Sequence, residues 1–140
     1  MTSRLALSLA SLVESGQLLA RLSATGGERR IPAVTSRAIA VLASEGPMGV
    51  TALARRCHVS QPTMTEMVRD AIAAGWIRRL GPNARPKLVP TPEAVSQRIA
   101  QREAAGEALE SRFTRLGARE RATLERAAMI LASALEAEHG

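Results

Sequence analysis

The chain has 140 residues, enough for one domain with a modest hydrophobic core. Its hydrophobic fraction of 46% argues against intrinsic disorder, and its single cysteine excludes an intramolecular disulfide framework. With one Phe, one Trp and no Tyr, the core must be filled by Leu, Ala, Val and Ile, and the abundance of Ala and Leu favours helices.

The net charge of +6 is concentrated in one part of the chain. Residues 51–90 carry six Arg and one Lys against two carboxylates, which gives +5, whereas residues 1–50 carry +2 and residues 91–140 carry −1. A phosphate-binding surface requires such a concentration, and a solvated basic face is the alternative. Eighteen of the 19 basic residues are Arg, which suits phosphate recognition but is also typical of a GC-rich genome.

Catalytic and metal-binding patterns are missing from the sequence. The only Asp is Asp70, and Cys57, His58 and His139 are too few and too scattered for a metal site. We therefore expect no enzymatic activity, no metal and no cofactor. No secretory signal is visible and no segment has 18 uninterrupted apolar residues, so we expect a cytoplasmic protein without a membrane span.

In chain order, residues 2–22 form the first predicted helix. Leu5, Leu9, Leu12, Gly16 and Leu19 recur at helical spacing and give an apolar face wider than a lone surface helix needs. This face packs either in the monomer core or against a second chain. After a loop over residues 23–32, we expect Thr35 to cap a second helix, which residues 45–47 stop.

Residues 50–79 read as two short helices joined by a tight turn and followed by a strand. Thr51 is the expected cap of the first helix, and the chain turns through residues 58–59. Ser60 is a good N-cap for the second helix, Pro62 suits its first turn, and Gly75 suits its end. A short helix with small polar groups at its exposed N-terminal end is the geometry of a helix-turn-helix reader.

A β-hairpin and two further helices complete the chain. Residues 76–80 and 87–89 are candidate strands, and the turn GPNARP between them places Arg85 near its tip. Thr91 is the expected N-cap of a long helix, whose apolar stripe runs from Val95 through Phe113 to Leu116 until Gly117 interrupts it. A last helix follows over residues 119–137, and together with the first helix these two could form an interlocked dimerisation unit.

The segments LARRCHVSQPTMTEMV, AAGWIRR and LVPTPEA occur in an order that resembles the MarR family of winged helix-turn-helix transcriptional regulators. The likeness covers residues 35–93 and, more loosely, both flanking helical regions. It implies a mainly α (α+β) domain over residues 1–140, with a DNA-binding winged region at 33–90 and dimerisation helices at 1–22 and 91–140. It also implies that a strand at residues 48–50 pairs with the wing.

The resemblance implies a homodimeric, sequence-specific regulator, a repressor relieved by a small-molecule effector, that binds a pseudo-palindromic site on double-stranded DNA. Its DNA-binding residues would be Arg55, Arg56, Ser60, Gln61, Pro62, Thr63, Thr65, Glu66, Arg69, Arg78, Arg79, Arg85 and Lys87. Its dimerisation residues would be Leu5, Leu9, Leu12, Leu124, Leu131 and Leu135. The alternatives are a winged-helix module that binds protein, or an architectural DNA binder without effector response.

The sequence departs from the family pattern at several positions. Cys57 replaces an apolar Leu, which suggests a redox sensor or, more simply, a small buried thiol. His58 stands where the turn often has Gly, Asn83 replaces the Asp that orients the wing tip, and Glu66 replaces an Arg. Glu66 and Asp70 could tune specificity, because a carboxylate repels phosphate and accepts a hydrogen bond from cytosine. They could equally point to solvent or pair with a neighbouring Arg.

Overall fold

In a computed structural model of the chain, the structure describes residues 1–23, 29–81 and 85–138. Its contacts divide the chain into two compact units, one of residues 1–25 and 104–140 and the other of residues 26–103. The predicted mainly helical class is confirmed. The elements are α1 (Arg4–Leu22), α2 (Ala33–Glu45), α3 (Val50–Arg56), α4 (Gln61–Ala73), β1 (Ile77–Leu80), β2 (Lys87–Pro90), α5 (Pro92–Glu110) and α6 (Ala118–Ala137).

Two of the four predicted Ser and Thr caps are confirmed, and two are wrong. The Ser60 hydroxyl accepts a hydrogen bond from the Thr63 amide at 3.2 Å, and the Thr91 hydroxyl accepts one from the Ala94 amide at 3.2 Å. Thr35 lies inside α2, which begins at Ala33 after the extended backbone of Pro32, and its side chain is buried. Thr51 likewise lies inside α3, which begins directly after Gly49. Extended Pro and Gly residues therefore set both starts without a side-chain cap.

The core of the unit formed by residues 26–103 holds the helix-turn-helix and the hairpin together. Fully buried side chains from α3, α4, β1 and β2 meet there, namely Leu53, Met64, Ile77 and Leu88. A smaller cluster packs Ile31 and Ile39 against Ala94. Trp76 is half-buried and contacts both clusters.

The predicted wing is present as an antiparallel pair of strands. Ile77 lies opposite Pro90 and Leu80 lies opposite Lys87, which fixes the register of β1 and β2. The expected pairing with the segment before α3 reduces to one bridge, in which the Leu88 amide donates to the Met48 carbonyl at 2.8 Å. The turn predicted at Asn83 lies outside the described residues.

One hydroxyl connects the end of α4 to the start of α5. Gly75 ends α4 with a φ of 83°, a left-handed value that favours glycine, and its carbonyl accepts a hydrogen bond from the Thr91 hydroxyl at 2.8 Å. The Thr91 hydroxyl oxygen also accepts the hydrogen bond from the Ala94 amide. The Thr91 amide donates to the Trp76 carbonyl at 2.9 Å. Thr91 is therefore both the N-cap of α5 and a link to α4.

Long polar side chains of α5 bind the backbone before and within α2. The Gln101 side chain accepts a hydrogen bond from the Ile31 amide at 3.0 Å and donates one to the Ile31 carbonyl at 2.9 Å. Gln97 donates to the Arg29 carbonyl, and Arg98 donates to the Ser36 carbonyl at 3.0 Å. The contacts to Arg29 and Ile31 satisfy backbone groups that lie outside the helices and strands.

The unit formed by residues 1–25 and 104–140 exposes its apolar side chains. The described residues of α1 and α6 include no buried side chain. Leu5 is 67% exposed, Met129 is 73% exposed and Leu124 is 54% exposed. An apolar surface of this kind is typical of an interaction site, since a monomer seldom leaves so much of it in water.

α5 ends earlier than its apolar stripe predicts. The helix stops at Glu110, so Phe113 and Leu116 lie in the segment between α5 and α6. The Ser111 hydroxyl donates to the Ala108 carbonyl at 2.8 Å, and the amide of Phe113 bonds the Glu110 carbonyl in a tighter turn. Such local bonds compete with the regular helical ladder and end it.

One helix, α1, bears on the expectation that the chain has no membrane span. This helix has 19 residues and a mean hydropathy of 1.2, so length and composition alone would allow it to cross a bilayer. Glu14 lies in its middle, however, and α1 clusters with residues 104–140 in one compact unit. Both observations favour a helix that packs against other helices.

Candidate nucleic-acid interface

The turn between α3 and α4 is built as the sequence predicts. His58 adopts a φ of 56°, a left-handed conformation that His tolerates better than most residues. The Val59 amide then returns to the Ala54 carbonyl at 3.1 Å. This closure sets the position of Ser60, and so the direction in which α4 leaves the turn.

The exposed N-terminal end of α4 has a fixed geometry. The Ser60 hydroxyl donates to the Thr63 hydroxyl at 2.8 Å while it accepts from the Thr63 amide. Gln61, Pro62 and Thr65 are exposed beside them. On the opposite side, Met64, Val68 and Ala71 are buried, so this helix presents small polar groups on a rigid support. That arrangement suits insertion into the major groove of DNA.

Three charged residues share the outer side of α4. Glu66, Arg69 and Asp70 are all exposed. Neither carboxylate forms an ion pair with a basic residue that the structure describes. The intramolecular ion pair with Arg55, Arg56 or Arg69, one of the alternatives left open by the sequence, therefore has no support from the geometry.

The two arginines at the end of α3 differ in their surroundings. Arg55 is exposed. Arg56 binds the Glu45 carboxylate at the end of α2 at 2.8 Å, and both side chains are about one-third exposed, at 35% and 37%. This ion pair was not expected from the sequence, because residues 45 and 56 lie in different helices. It competes with any phosphate for the Arg56 guanidinium.

The wing carries positive charge on both faces. Side chains alternate along a strand and opposed residues share a face, so the register puts Arg78 on one face with Lys87, and Arg79 on the other with Leu88. All three basic side chains are exposed, and so is Arg85. A basic hairpin of this kind can contact phosphates through its exposed side chains and direct an Arg to the minor groove.

Cys57 is buried beside the reader and is unsuited to redox sensing. Its side chain is only 7% exposed. Burial raises the pKa of its thiol, the Arg37 charge opposes this, and the Glu45 charge adds to it. A protonated buried thiol is a weak nucleophile, so the simpler interpretation is the better one. No cluster of metal-ligating side chains occurs in the described part of the chain.

An open cleft between α2 and α5 was not expected from the sequence. It has a volume of about 390 Å³, and Ile39, Ala43, Val95 and Ile99 give it an apolar lining. Arg98 lies at its edge, where burial and the neighbouring Arg102 lower the pKa of the guanidinium. The cleft depends on how α2 and α5 pack, which helical periodicity alone does not specify.

Comparisons with known proteins agree with this geometry. A model of the MarR family matches residues 34–83. RV1404 from Mycobacterium tuberculosis has 19% identity and a TM-score of 0.77, with 96% of this chain and 95% of that chain covered. A MarR family protein from Bacillus stearothermophilus has 17% identity and a TM-score of 0.71, with 97% and 99% covered.

A third similar structure is that of a protein regulated by a small molecule. BpsR of Bordetella bronchiseptica, whose DNA binding is regulated by 6-hydroxynicotinic acid, has 12% identity and a TM-score of 0.65. The alignment covers 93% of this chain and 99% of that one. No curated protein sequence matches the chain significantly.

Proposed function

Because the chain belongs to the MarR family of winged helix-turn-helix transcriptional regulators, which are not enzymes, we propose that it is a homodimeric, sequence-specific repressor of transcription. The observation that carries this proposal is the unit formed by residues 26–103. It combines an exposed, rigidly capped α4 with a basic wing. These are the two parts that a reader of double-stranded DNA needs.

Each predicted site residue takes a role that its position allows. Gln61, Pro62, Thr63, Thr65 and Glu66 approach base edges, with Arg69 beside them. Ser60 and Arg55 position the DNA backbone, and Arg56 joins them when a phosphate displaces Glu45. Arg85 enters the minor groove, while Arg78, Arg79 and Lys87 contact phosphates.

Dimerisation accounts for the exposed apolar helices of the other unit. Leu5, Leu9 and Leu12 of α1 and Leu124 and Leu135 of α6 are each more than two-fifths exposed in the single chain, and Leu131 is half-buried beside them. A second copy that covers them would place two α4 helices on one two-fold symmetric operator. The protein then works in the cytoplasm, where the DNA is, with α1 at the dimer interface.

The cleft between α2 and α5 is the proposed effector site. Its volume suits a small organic molecule, its lining is apolar, and Arg98 can orient a polar group. The similarity to BpsR supports the proposal that a small effector regulates this protein, since a small ligand regulates the DNA binding of BpsR. An Ala43→Phe substitution should fill the cleft and leave operator binding intact but unresponsive to any ligand that releases the wild-type protein.

Competition between a native promoter fragment and random DNA at fixed salt tests the proposal. A sequence-specific regulator should prefer the promoter by at least about a thousandfold. Equal binding to both DNAs would instead indicate an architectural DNA binder. Absence of binding to either would indicate a module that recognises protein.

A further inference from the structure

Glu66 lies on the outward side of α4, the second helix of the helix-turn-helix. With about 100° of rotation per residue, its side chain projects roughly 170° from the mean direction of Met64, Val68 and Ala71. Those three side chains are buried, and Glu66 is exposed. A surface that α4 approaches with this side therefore meets Glu66, which lies roughly 1.7 turns after the Ser60 cap.

A carboxylate at this position is electrostatically unfavourable for DNA affinity. Residues 51–90 carry +5 in total, and Glu66 and Asp70 are their only acidic residues. Among residues 29–81 and 85–138, no Arg or Lys neutralises Glu66 through an ion pair. The negative charge of Glu66 therefore faces the DNA without a compensating cation from the described part of the chain. It repels the DNA phosphates wherever no specific contact forms.

The major groove offers one base edge that suits such a group best. An ionised carboxylate only accepts hydrogen bonds. Guanine presents the N7 and O6 acceptors, thymine presents O4, and adenine presents its amino donor beside the N7 acceptor. Cytosine presents an amino donor without an adjacent acceptor of its own, so it is the base that a carboxylate selects.

We propose that Glu66 is a specificity-determining residue, which accepts a hydrogen bond from the amino group of a cytosine in each half-site. This inference rests on the proposed function, because it requires α4 to lie in the major groove. Glu66 then lowers binding to random DNA by repulsion and restores affinity only where the cytosine is present.

Selection of binding sites from random duplexes tests the proposal with three variants. Glu66→Gln should move the preference at one base pair of each half-site from cytosine towards adenine, since an amide can bond both N6 and N7 of adenine. Glu66→Ala should lower discrimination at the same pair about tenfold to a hundredfold. Both variants should bind random DNA about two- to tenfold more tightly at low salt.

Asp70→Asn is the matched control, because it removes the same charge from the same helix one turn later. It should raise binding to random DNA and keep the cytosine preference. Identical base preferences in wild type and both Glu66 variants would overturn the proposal, as would the same altered preference in Asp70→Asn. If the wild-type protein itself selects no DNA sequence, the proposed sequence-specific function is wrong. That outcome differs from one in which the wild type selects a sequence but Glu66 does not affect it.

Discussion

At the scale of single residues, Cys57 shows how burial decides the chemistry of a side chain. Its sulfur packs in the core of the unit that holds the reader, and its pKa is raised by loss of solvent. In the unfolded chain the thiol returns to its ordinary pKa near 9.0. The folded state therefore prefers the protonated form more strongly than the unfolded state does.

This difference predicts a pH dependence of stability. The contribution of the protonated thiol is fully present below about pH 9 and is lost as the pH rises through the folded-state pKa, because only the unfolded chain gains by ionising. Urea unfolding of wild type and Cys57→Ala should show a stability difference that narrows above about pH 9. A difference that stays constant to about pH 11 would contradict the raised pKa.

The ion pair between Arg56 and Glu45 gives a second prediction at this scale. Both side chains are about one-third exposed, so Glu45→Gln should cost no more than about 1 kcal/mol of stability. It should also raise operator affinity severalfold, because the Arg56 guanidinium becomes available to phosphate, while Arg56→Ala should lower it.

A matched control is available in the other unit. Glu110 binds Arg121 at 3.5 Å, so Glu110→Gln breaks an ion pair outside the winged region and should leave operator affinity unchanged. Equal operator affinities for Glu45→Gln and Arg56→Ala would remove Arg56 from the DNA interface.

At the scale of elements, the wing is expected to add affinity through Arg85. Arg85→Ala should weaken operator binding severalfold and reduce the slope of log affinity against log salt by about 1, because one positive charge is lost from the DNA interface. The substitution is on an exposed residue, so the thermal unfolding midpoint should not change. Unchanged affinity across a salt series would exclude the wing from the interface.

Arg115→Ala is the control for this experiment. Arg115 is exposed in the turns between α5 and α6, outside residues 26–103. The variant removes the same charge from the whole protein, and its salt dependence should equal that of the wild type.

Much of the winged region could be predicted from sequence because its signals are local. The Ser60 cap, the Gly75 helix end and the Thr91 cap of α5 involve backbone groups within a few residues, and the buried side of α4 follows from helical spacing. Thr35 and Thr51 were misassigned because a hydroxyl near a helix start is only one way to begin a helix. Extended Pro32 and Gly49 begin these two helices instead.

Two features could not be predicted from the sequence because they depend on residues that are distant in the chain. The Arg56–Glu45 ion pair and the cleft at Arg98 arise only when separate helices pack. The end of α5 was missed for another reason. An apolar stripe can continue through a turn, as it does to Phe113, so hydrophobic spacing alone does not show where the helix stops.

At the scale of the whole molecule, exposed leucines on α1 predict a dimer. Replacing both Leu9 and Leu12 with Glu should give a monomer at micromolar concentration and weaken operator binding, because charges would be buried in an apolar interface. Ala10→Glu is the control, since Ala10 lies roughly 100° around the helix from Leu9 and roughly 160° from Leu12. Analytical ultracentrifugation with operator titration measures both effects.

Two results would reject the dimer. One is a wild-type monomer at micromolar concentration, and the other is deletion of residues 1–22 without loss of folding or operator affinity. If the dimer holds, footprinting should show two half-sites about one helical turn apart, roughly 34 Å along the DNA.

The hydroxyl of Thr91 has a consequence for local unfolding. Because it bonds both the Gly75 carbonyl and the Ala94 amide, the end of α4 and the start of α5 cannot open independently without leaving a buried polar group unpaired. Amides at the two helix ends should therefore exchange with deuterium as one cooperative unit. Thermal fluctuations that loosen the first turn of α5 would then reach the reader helix as correlated opening events.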